Sequence, residues 1–172
     1  GNVTFSIRPG TYTGQYDLGA ISGTPGFITF KSETNDADDV VLEHDAIGAA
    51  DNFIFRLEDT DGVVFQELTF RPVNTWFARV ILFQGECEIL NITHCVFEGS
   101  TEPNQNSGFE RNIIYCGQNV LGTTDNPQDV MISDNIFRNG YAAMELDFEG
   151  FGGARSQGLI ITDNVFEDQY AT

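Results

Sequence analysis

The chain has little positive charge. It contains one lysine, seven arginines and two histidines against 26 acidic residues, which gives a formal net charge of −18 at pH 7. Nucleic acids and anionic membrane surfaces are bound by clustered cations, so this composition excludes both as partners. Long apolar runs are also missing, and none approaches the ~18 residues that a membrane-spanning helix needs.

Cysteine is scarce as well. Three cysteines leave at least one thiol unpaired, and the spacing of Cys87 and Cys116 does not favour a disulfide between them. We expect Cys95 to be a small core residue. The chain therefore has to be stabilised by packing, for which its 15 phenylalanines are ample.

An eight-residue frame is repeated four times along the chain. Each copy begins with alternating apolar residues, bends at a polar residue and ends in phenylalanine; the copies are 63–70, 90–97, 130–137 and 159–166. The terminal phenylalanines are 27, 40 and 29 residues apart, and a polar insertion at Ser100–Glu110 accounts for the longer interval. Repetition at this period indicates stacked coils, none of which can bury its apolar face alone.

The frame could also be the strand half of a leucine-rich repeat, so the rest of each repeat decides the fold class. The leucine expected three residues before the frame is absent. Where a leucine-rich repeat would often have a helix, each repeat here has a second β-like run, at 52–57, 77–83, 112–116 and 141–148. Two strands per coil with almost no helix signal predict an all-β protein: a single-stranded parallel β-helix of about five to six coils, forming one domain over 1–172.

Several segments carry a family resemblance. They are Ile7-Arg8-Pro9-Gly10-Thr11-Tyr12, the runs 28–33 and 38–42, and the run 52–57 leading into 62–70. Over nearly its whole length the chain resembles secreted bacterial right-handed parallel β-helix repeat proteins of the pectin-lyase-like superfamily. The resemblance implies a right-handed helix and an extracellular or cell-surface location. It leaves function open, because the family includes lyases, hydrolases and adhesins.

Catalytic signatures are mostly missing. A lyase of this fold needs a cationic base with further cations, but Lys31 is the single lysine and no arginines are paired in sequence. Asp38-Asp39 is the only Asp-Asp pair, and Gly-His-Gly, Ser-His-Asp, P-loop and Cys-x-x-Cys patterns are absent. In the other three copies of the frame an acidic residue occupies the position of His94, which indicates a column of polar side chains exposed to solvent.

Two candidate binding sites are left. Acidic residues recur at the corner between the strands of successive coils, and stacking predicts a calcium site formed by Asp59, Asp61, Glu86 and Glu88. Calcium is the one cofactor that the sequence suggests, although a merely solvated acidic edge fits the same pattern. Exposed aromatics before successive strands predict a carbohydrate-binding strip formed by Trp76, Phe109 and Tyr141, although Phe77 beside them could equally be core.

Three columns of equivalent residues are predicted along the stack. The frame phenylalanines Phe70, Phe97, Phe137 and Phe166 should form one inward column, and Asn135 and Asn164 an asparagine ladder. The residues after the phenylalanines alternate in sign: Arg71, Glu98, Arg138 and Glu167. Alternation predicts attraction between neighbouring coils.

These observations favour a non-catalytic extracellular β-helix module, adhesive or carbohydrate-binding, whose partner is a polysaccharide or cell-surface glycan. A fragment of a polysaccharide lyase or glycoside hydrolase and a structural stalk or filament subunit are the alternatives. The chain opens at Gly1 directly into a strand, so we expect a segment of a longer secreted protein. End-to-end contacts with further coils or copies are expected for the same reason.

Overall fold

The computed structural model describes residues 1–19, 21, 26–102, 108–116, 127–146 and 157–169. Within these ranges the chain makes six successive coils. In chain order the strands are β1 (Val3–Ile7), β2 (Gly10–Thr13) and β3 (Tyr16–Gly19); β4 (Ile28–Ser32), β5 (Val40–His44) and β6 (Phe55–Glu58); β7 (Asp61–Gln66), β8 (Thr69–Pro72) and β9 (Ile81–Gln84); β10 (Glu88–Thr93), β11 (Val96–Glu98) and β12 (Asn112–Cys116); β13 (Gln128–Ser133), β14 (Ile136–Arg138) and β15 (Ala142–Leu146); β16 (Ile160–Thr162) and β17 (Val165–Glu167).

Helix is confined, in the described ranges, to three short 3-10 turns at Ala37–Asp39, Ala49–Asp51 and Gly108–Arg111. None of them has the length or the apolar character that a membrane span requires. The turn Gly108–Arg111 closes the predicted insertion, of which residues 103–107 lie outside the described part of the chain.

Every strand pairs in parallel with its equivalent one coil away. The first sheet has the order β1-β4-β7-β10-β13-β16, the second β2-β5-β8-β11-β14-β17 and the third β3-β6-β9-β12-β15. This confirms the parallel β-helix and its predicted number of coils. Each of the first five coils has three strands, one more than the sequence pattern required, because the eight-residue frame splits between the first and second sheets.

The frame splits at a residue with left-handed backbone. Glu67, His94, Asp134 and Asp163 occupy equivalent positions and have φ of 55°, 55°, 57° and 55°. Such a φ is costly for most residues and turns the chain sharply, so the strand of the first sheet ends there. His94 is therefore an exposed turn residue in the predicted polar column.

The core is a stack of rings and aliphatic side chains inside the three sheets. Ring centroids are separated by 5.0 Å between Phe70 and Phe97, 4.7 Å between Phe97 and Phe137, and 5.3 Å between Phe137 and Phe166. The first three rings are completely buried. The predicted inward phenylalanine column is thus confirmed.

The asparagine ladder is confirmed as well. Asn135 donates from Nδ2 to the carbonyl of Ile92 at 2.9 Å and to Asn164 Oδ1 at 3.0 Å. Its own Oδ1 accepts the backbone N–H of Cys95 at 2.8 Å. Asn164 binds Asn135 N–H and the carbonyl of Ile132 in the same way, so each amide satisfies backbone groups at the bend of the preceding coil.

The alternating charges form a column beside these bends, on the outer face of the second sheet. Arg71 Nε donates to Glu98 Oε2 at 2.5 Å, and Arg138 Nε to Glu167 Oε2 at 3.1 Å. Glu98 and Arg138 are register partners, but no ion pair joins them among the described residues. The predicted ladder therefore consists of two ion pairs in register, where the sequence predicted three attractions.

Candidate functional site

A cleft of about 350 Å³ opens at the corner that follows the second sheet. It crosses three coils, and its lining residues are Arg71, Pro72, Val73, Asn74 and Thr75 from the third coil, Glu98, Gly99, Ser100 and Thr101 from the fourth, and Asn139 from the fifth. The fold forms the cleft because the chain leaves the second sheet at this corner in every coil.

Two glycines bring the fourth and fifth coils close together beside the cleft. A Cβ at Gly99 would lie 2.7 Å from Cα of Gly140, a distance that side chains do not tolerate. Gly99 N–H donates to the carbonyl of Arg138 at 2.7 Å, and Gly140 N–H to that of Ser100 at 2.8 Å. A larger residue at Gly99 would push these coils apart and reshape the cleft.

The loop after β8 is held in one shape by its own polar side chains. Asn74 Oδ1 accepts the backbone N–H groups of Trp76 at 2.7 Å and Phe77 at 3.1 Å, which makes an Asx turn. Ser100 Oγ donates to the carbonyl of Thr75 at 2.8 Å from the next coil. Together these bonds fix Trp76 directly after the last cleft residue of the third coil.

Trp76 is 49% exposed, an unusual position for the largest apolar side chain. The guanidinium carbon of Arg111 lies 5.9 Å from the centre of the indole. Arg111 itself is only 1% exposed and donates from Nη1 to the carbonyl of Glu102 at 2.8 Å. A buried cation thus supports the indole, while half of its surface stays open to solvent.

Uncharged hydrogen-bonding groups dominate the cleft. Those without a side-chain partner in the described ranges are Asn74 Nδ2, the hydroxyls of Thr75 and Thr101, and the amide of Asn139. The two charged side chains, Arg71 and Glu98, bind each other. The cleft can therefore donate and accept hydrogen bonds without presenting net charge.

The predicted aromatic strip is only partly described. Phe109 lies in the turn Gly108–Arg111, but its side chain is outside what the structure describes. Tyr141 is half-buried, and the pairing of Asn112 with Ala142 puts it level with Arg111. Tyr141 is therefore not in register with Trp76, and the ring contacts of the described residues do not join the two.

The predicted calcium ligands lie on two neighbouring coils. Asp61 and Glu88 are direct register partners. Asp59 has a φ of 48°, and its Oδ1 accepts the backbone N–H of Glu86 at 3.0 Å. The carboxylate of Asp59 therefore caps a turn. Across the described ranges, no three His, Cys, Asp or Glu side chains converge as a metal site would require. Calcium binding here stays a prediction.

One polar cluster on the third sheet escaped the sequence analysis. Arg79 lies with its guanidinium carbon 4.0 Å from the centre of the Tyr115 ring, and its Nη2 is 3.5 Å from Glu110 Oε2. Asn52 Nδ2 also donates to Glu110 Oε2, at 2.7 Å. Burial lowers the pKa of Arg79 and raises the pKa of Tyr115. The charges of Arg79 and Glu110 balance each other within the cluster, as in a hydrogen-bond network with a structural role.

Register explains why this cluster was missed. The near-identity of 79–85 and 111–117 suggests that Arg79 lies over Arg111, whereas the strands pair Leu82 with Tyr115, one residue further on. That shift brings Tyr115 next to Arg79. The sequence carried one signal for this contact. Arg79 stands before a β-like run, and the equivalent run of the next coil contains Tyr115.

Comparisons with known protein families, curated proteins and solved structures find no match to this chain. The cleft is thus interpreted from its own chemistry. Its one lining carboxylate, Glu98, is paired with Arg71 in the described structure. A concave surface of neutral polar groups beside an open aromatic ring can bind a ligand through hydrogen bonds and ring packing.

Proposed function

We propose that this chain is a non-catalytic extracellular module, adhesive or carbohydrate-binding, that recognises a glycan at the cleft beside Trp76. The observation that carries the proposal is an exposed indole beside amides and hydroxyls that have no side-chain partner in the described part of the chain. Sugar hydroxyls exchange hydrogen bonds with such groups, and the apolar face of a sugar ring packs on an aromatic side chain. The partner is a polysaccharide or a cell-surface glycan.

The enzyme alternative is less well supported. Glycoside hydrolases of the usual type use two carboxylic acids around the scissile bond, and the cleft has Glu98 alone in the lining described here. A polysaccharide lyase needs a base with a cation to neutralise the sugar carboxylate, and Arg71 is already held by Glu98. Release of products from a polysaccharide would nevertheless restore this alternative.

A structural role has one observation in its favour. Phe5 and Phe166 are 51% and 49% exposed, although they belong to inward columns that are buried in the middle coils. Stacking of further coils or copies on these faces would bury both rings, as in a stalk or filament. A glycan-binding module can form part of such a stalk, so end-to-end stacking is compatible with the main proposal. It stays a prediction.

A glycan array with the purified protein, followed by calorimetric titration of the best hit, tests the proposal. Trp76 is the only tryptophan, so its fluorescence reports directly on binding at this corner. We expect Trp76→Ala and Asn74→Ala to abolish binding, and Trp76→Phe to retain part of it. The matched control is Tyr12→Ala, which removes an aromatic side chain that is 37% exposed on the first coil.

Binding that leaves Trp76 fluorescence unchanged and survives Trp76→Ala would move the site elsewhere. An array without any hit, obtained with protein that melts cooperatively, would refute the carbohydrate-binding function.

A further inference from the structure

The cleft is electrically balanced. Arg71 and Glu98 are its only charged lining residues in the described structure, and Arg71 Nε donates to Glu98 Oε2 at 2.5 Å. Both side chains keep access to solvent, with 45% of Arg71 and 29% of Glu98 exposed. A ligand in the cleft therefore meets a guanidinium whose charge is balanced by Glu98, and the remaining lining groups are neutral.

Cations around the cleft are occupied as well. Arg138, the register partner of Glu98, binds Glu167 at 3.1 Å. On the other side, Arg71 is in register with Glu43, a carboxylate that also accepts from Thr13 Oγ1. Arg111 behind Trp76 donates to the carbonyl of Glu102. The nearest surroundings thus supply the Arg138–Glu167 ion pair, the carboxylate of Glu43 and the buried guanidinium of Arg111.

The long-range field points the same way, because the formal net charge is −18. Such a surface repels polyanions, and the repulsion is screened only beyond about 8 Å at physiological ionic strength. An acidic sugar bound at the Nη groups of Arg71 would share the guanidinium with Glu98 and place two anionic groups close together. The repulsion between them offsets the attraction to Arg71, so the ion pair gives an acidic sugar little net gain.

We propose that the cleft selects a neutral glycan and that the Arg71–Glu98 ion pair excludes sugars bearing carboxylate or sulfate. The proposal rests on the proposed function, since it names the ligand class of the same cleft. Neutral sugars bind through hydroxyls, which match the amide and hydroxyl groups that line the cleft. Glu98 then acts as a specificity-determining residue by balancing the charge of Arg71.

Matched ligand pairs test the selectivity. Calorimetric titrations compare a uronic-acid oligosaccharide with its methyl ester, and a sulfated oligosaccharide with its desulfated form, together with the best neutral hit of the array. We expect the wild-type protein to bind the neutral hit with little dependence on salt, and to bind each acidic member at least about tenfold more weakly than its neutral partner.

The variant Glu98→Gln tests the residue. It leaves Arg71 without its carboxylate, so binding of the acidic members should strengthen at least about tenfold and become salt-dependent. The control Glu167→Gln frees Arg138 in the same column but outside the cleft lining, and it should change neither ligand class. Melting curves of both variants show that they are folded.

The outcomes separate the two proposals. Wild-type protein that prefers the acidic members overturns the charge selection and leaves glycan binding standing. An unchanged preference in folded Glu98→Gln overturns the role of the ion pair. If no glycan of either class binds, the proposed function itself fails and the selectivity falls with it.

Discussion

The rings of Phe97 and Phe137 stack one coil apart, with centroids separated by 4.7 Å and planes inclined by only 3°. The separation equals the spacing of hydrogen-bonded strands, which is about 4.8 Å. One phenylalanine per coil therefore stacks in the core with the same repeat distance as the strands of the backbone. Each ring inside the column contacts a ring on both sides, and the loss of one ring affects three coils.

Replacing Phe137 by Ala should lower the free energy of unfolding by about 3 to 5 kcal/mol, because the site is fully enclosed and cannot collapse. Phe166 provides the matched control: it belongs to the same column but is 49% exposed. Its replacement by Ala should cost less than half as much. Urea unfolding followed by circular dichroism measures both, and equal losses would contradict the enclosed column.

Residue patterns predicted the columns better than the sheets. The phenylalanine column and the asparagine ladder were predictable because each depends on one recurring residue type at a fixed place in the frame. The third strand per coil was not, because it depends on a left-handed bend at a frame position that Glu67 occupies in the first copy, and glutamate has no preference for that conformation. Backbone geometry of this kind is imposed by the stack around it.

The candidate site was predictable only in part. Trp76 was predicted as a site residue because it is the only tryptophan and lies in a loop. The structure shows it exposed beside a cleft. The cleft itself depends on Ser100, the first residue of the predicted insertion, and on Asn139, which follows the insertion and belongs to the next coil. A one-residue error in register, as between Arg79 and Arg111, is enough to hide such contacts, since neighbouring strand residues face opposite sides of the sheet.

Reversing one charge of the ladder should destabilise the fold slightly. Glu98→Arg replaces the ion pair with Arg71 by a repulsion, and each pair in such exposed columns is worth about 0.2 to 1 kcal/mol. Adding Arg71→Glu, Arg138→Glu and Glu167→Arg restores the alternation with all signs reversed and should recover the loss. Unfolding free energies in low and high salt measure the effect, which should shrink in salt. A quadruple variant no more stable than Glu98→Arg would contradict the ladder.

Calcium should raise the melting temperature if Asp61 and Glu88 bind it together, because a ligand that binds only the folded state stabilises it by mass action. The measurement is a melting curve at increasing calcium concentration up to millimolar. Asp61→Asn combined with Glu88→Gln should remove the increase, and Asp17→Asn on the third sheet should retain it. An unchanged melting temperature in the wild-type protein would eliminate the calcium site.

The buried thiols should make the fold sensitive to alkaline pH. Burial raises the pKa of Cys95 from its ordinary value of 9.0 to about 12, and that of Cys87 to about 11. In the unfolded chain both thiols ionise near pH 9, while in the folded chain they stay protonated. Above about pH 9 the unfolded state then binds fewer protons, so the contribution of the thiols to stability is constant below pH 9 and decreases above it.

The loss should reach at most about 1.4 kcal/mol per pH unit for each thiol, and should end near pH 12 for Cys95 and near pH 11 for Cys87. Burial also raises the pKa of Tyr16 and Tyr115, which adds a loss that every variant shares. The difference between the wild type and Cys95→Ala therefore isolates one thiol. Urea unfolding between pH 7 and the alkaline limit of the fold should show a smaller slope for Cys95→Ala above pH 9 and parallel curves below it. Parallel curves over the whole range would mean that Cys95 ionises as readily in the folded chain as in the unfolded one.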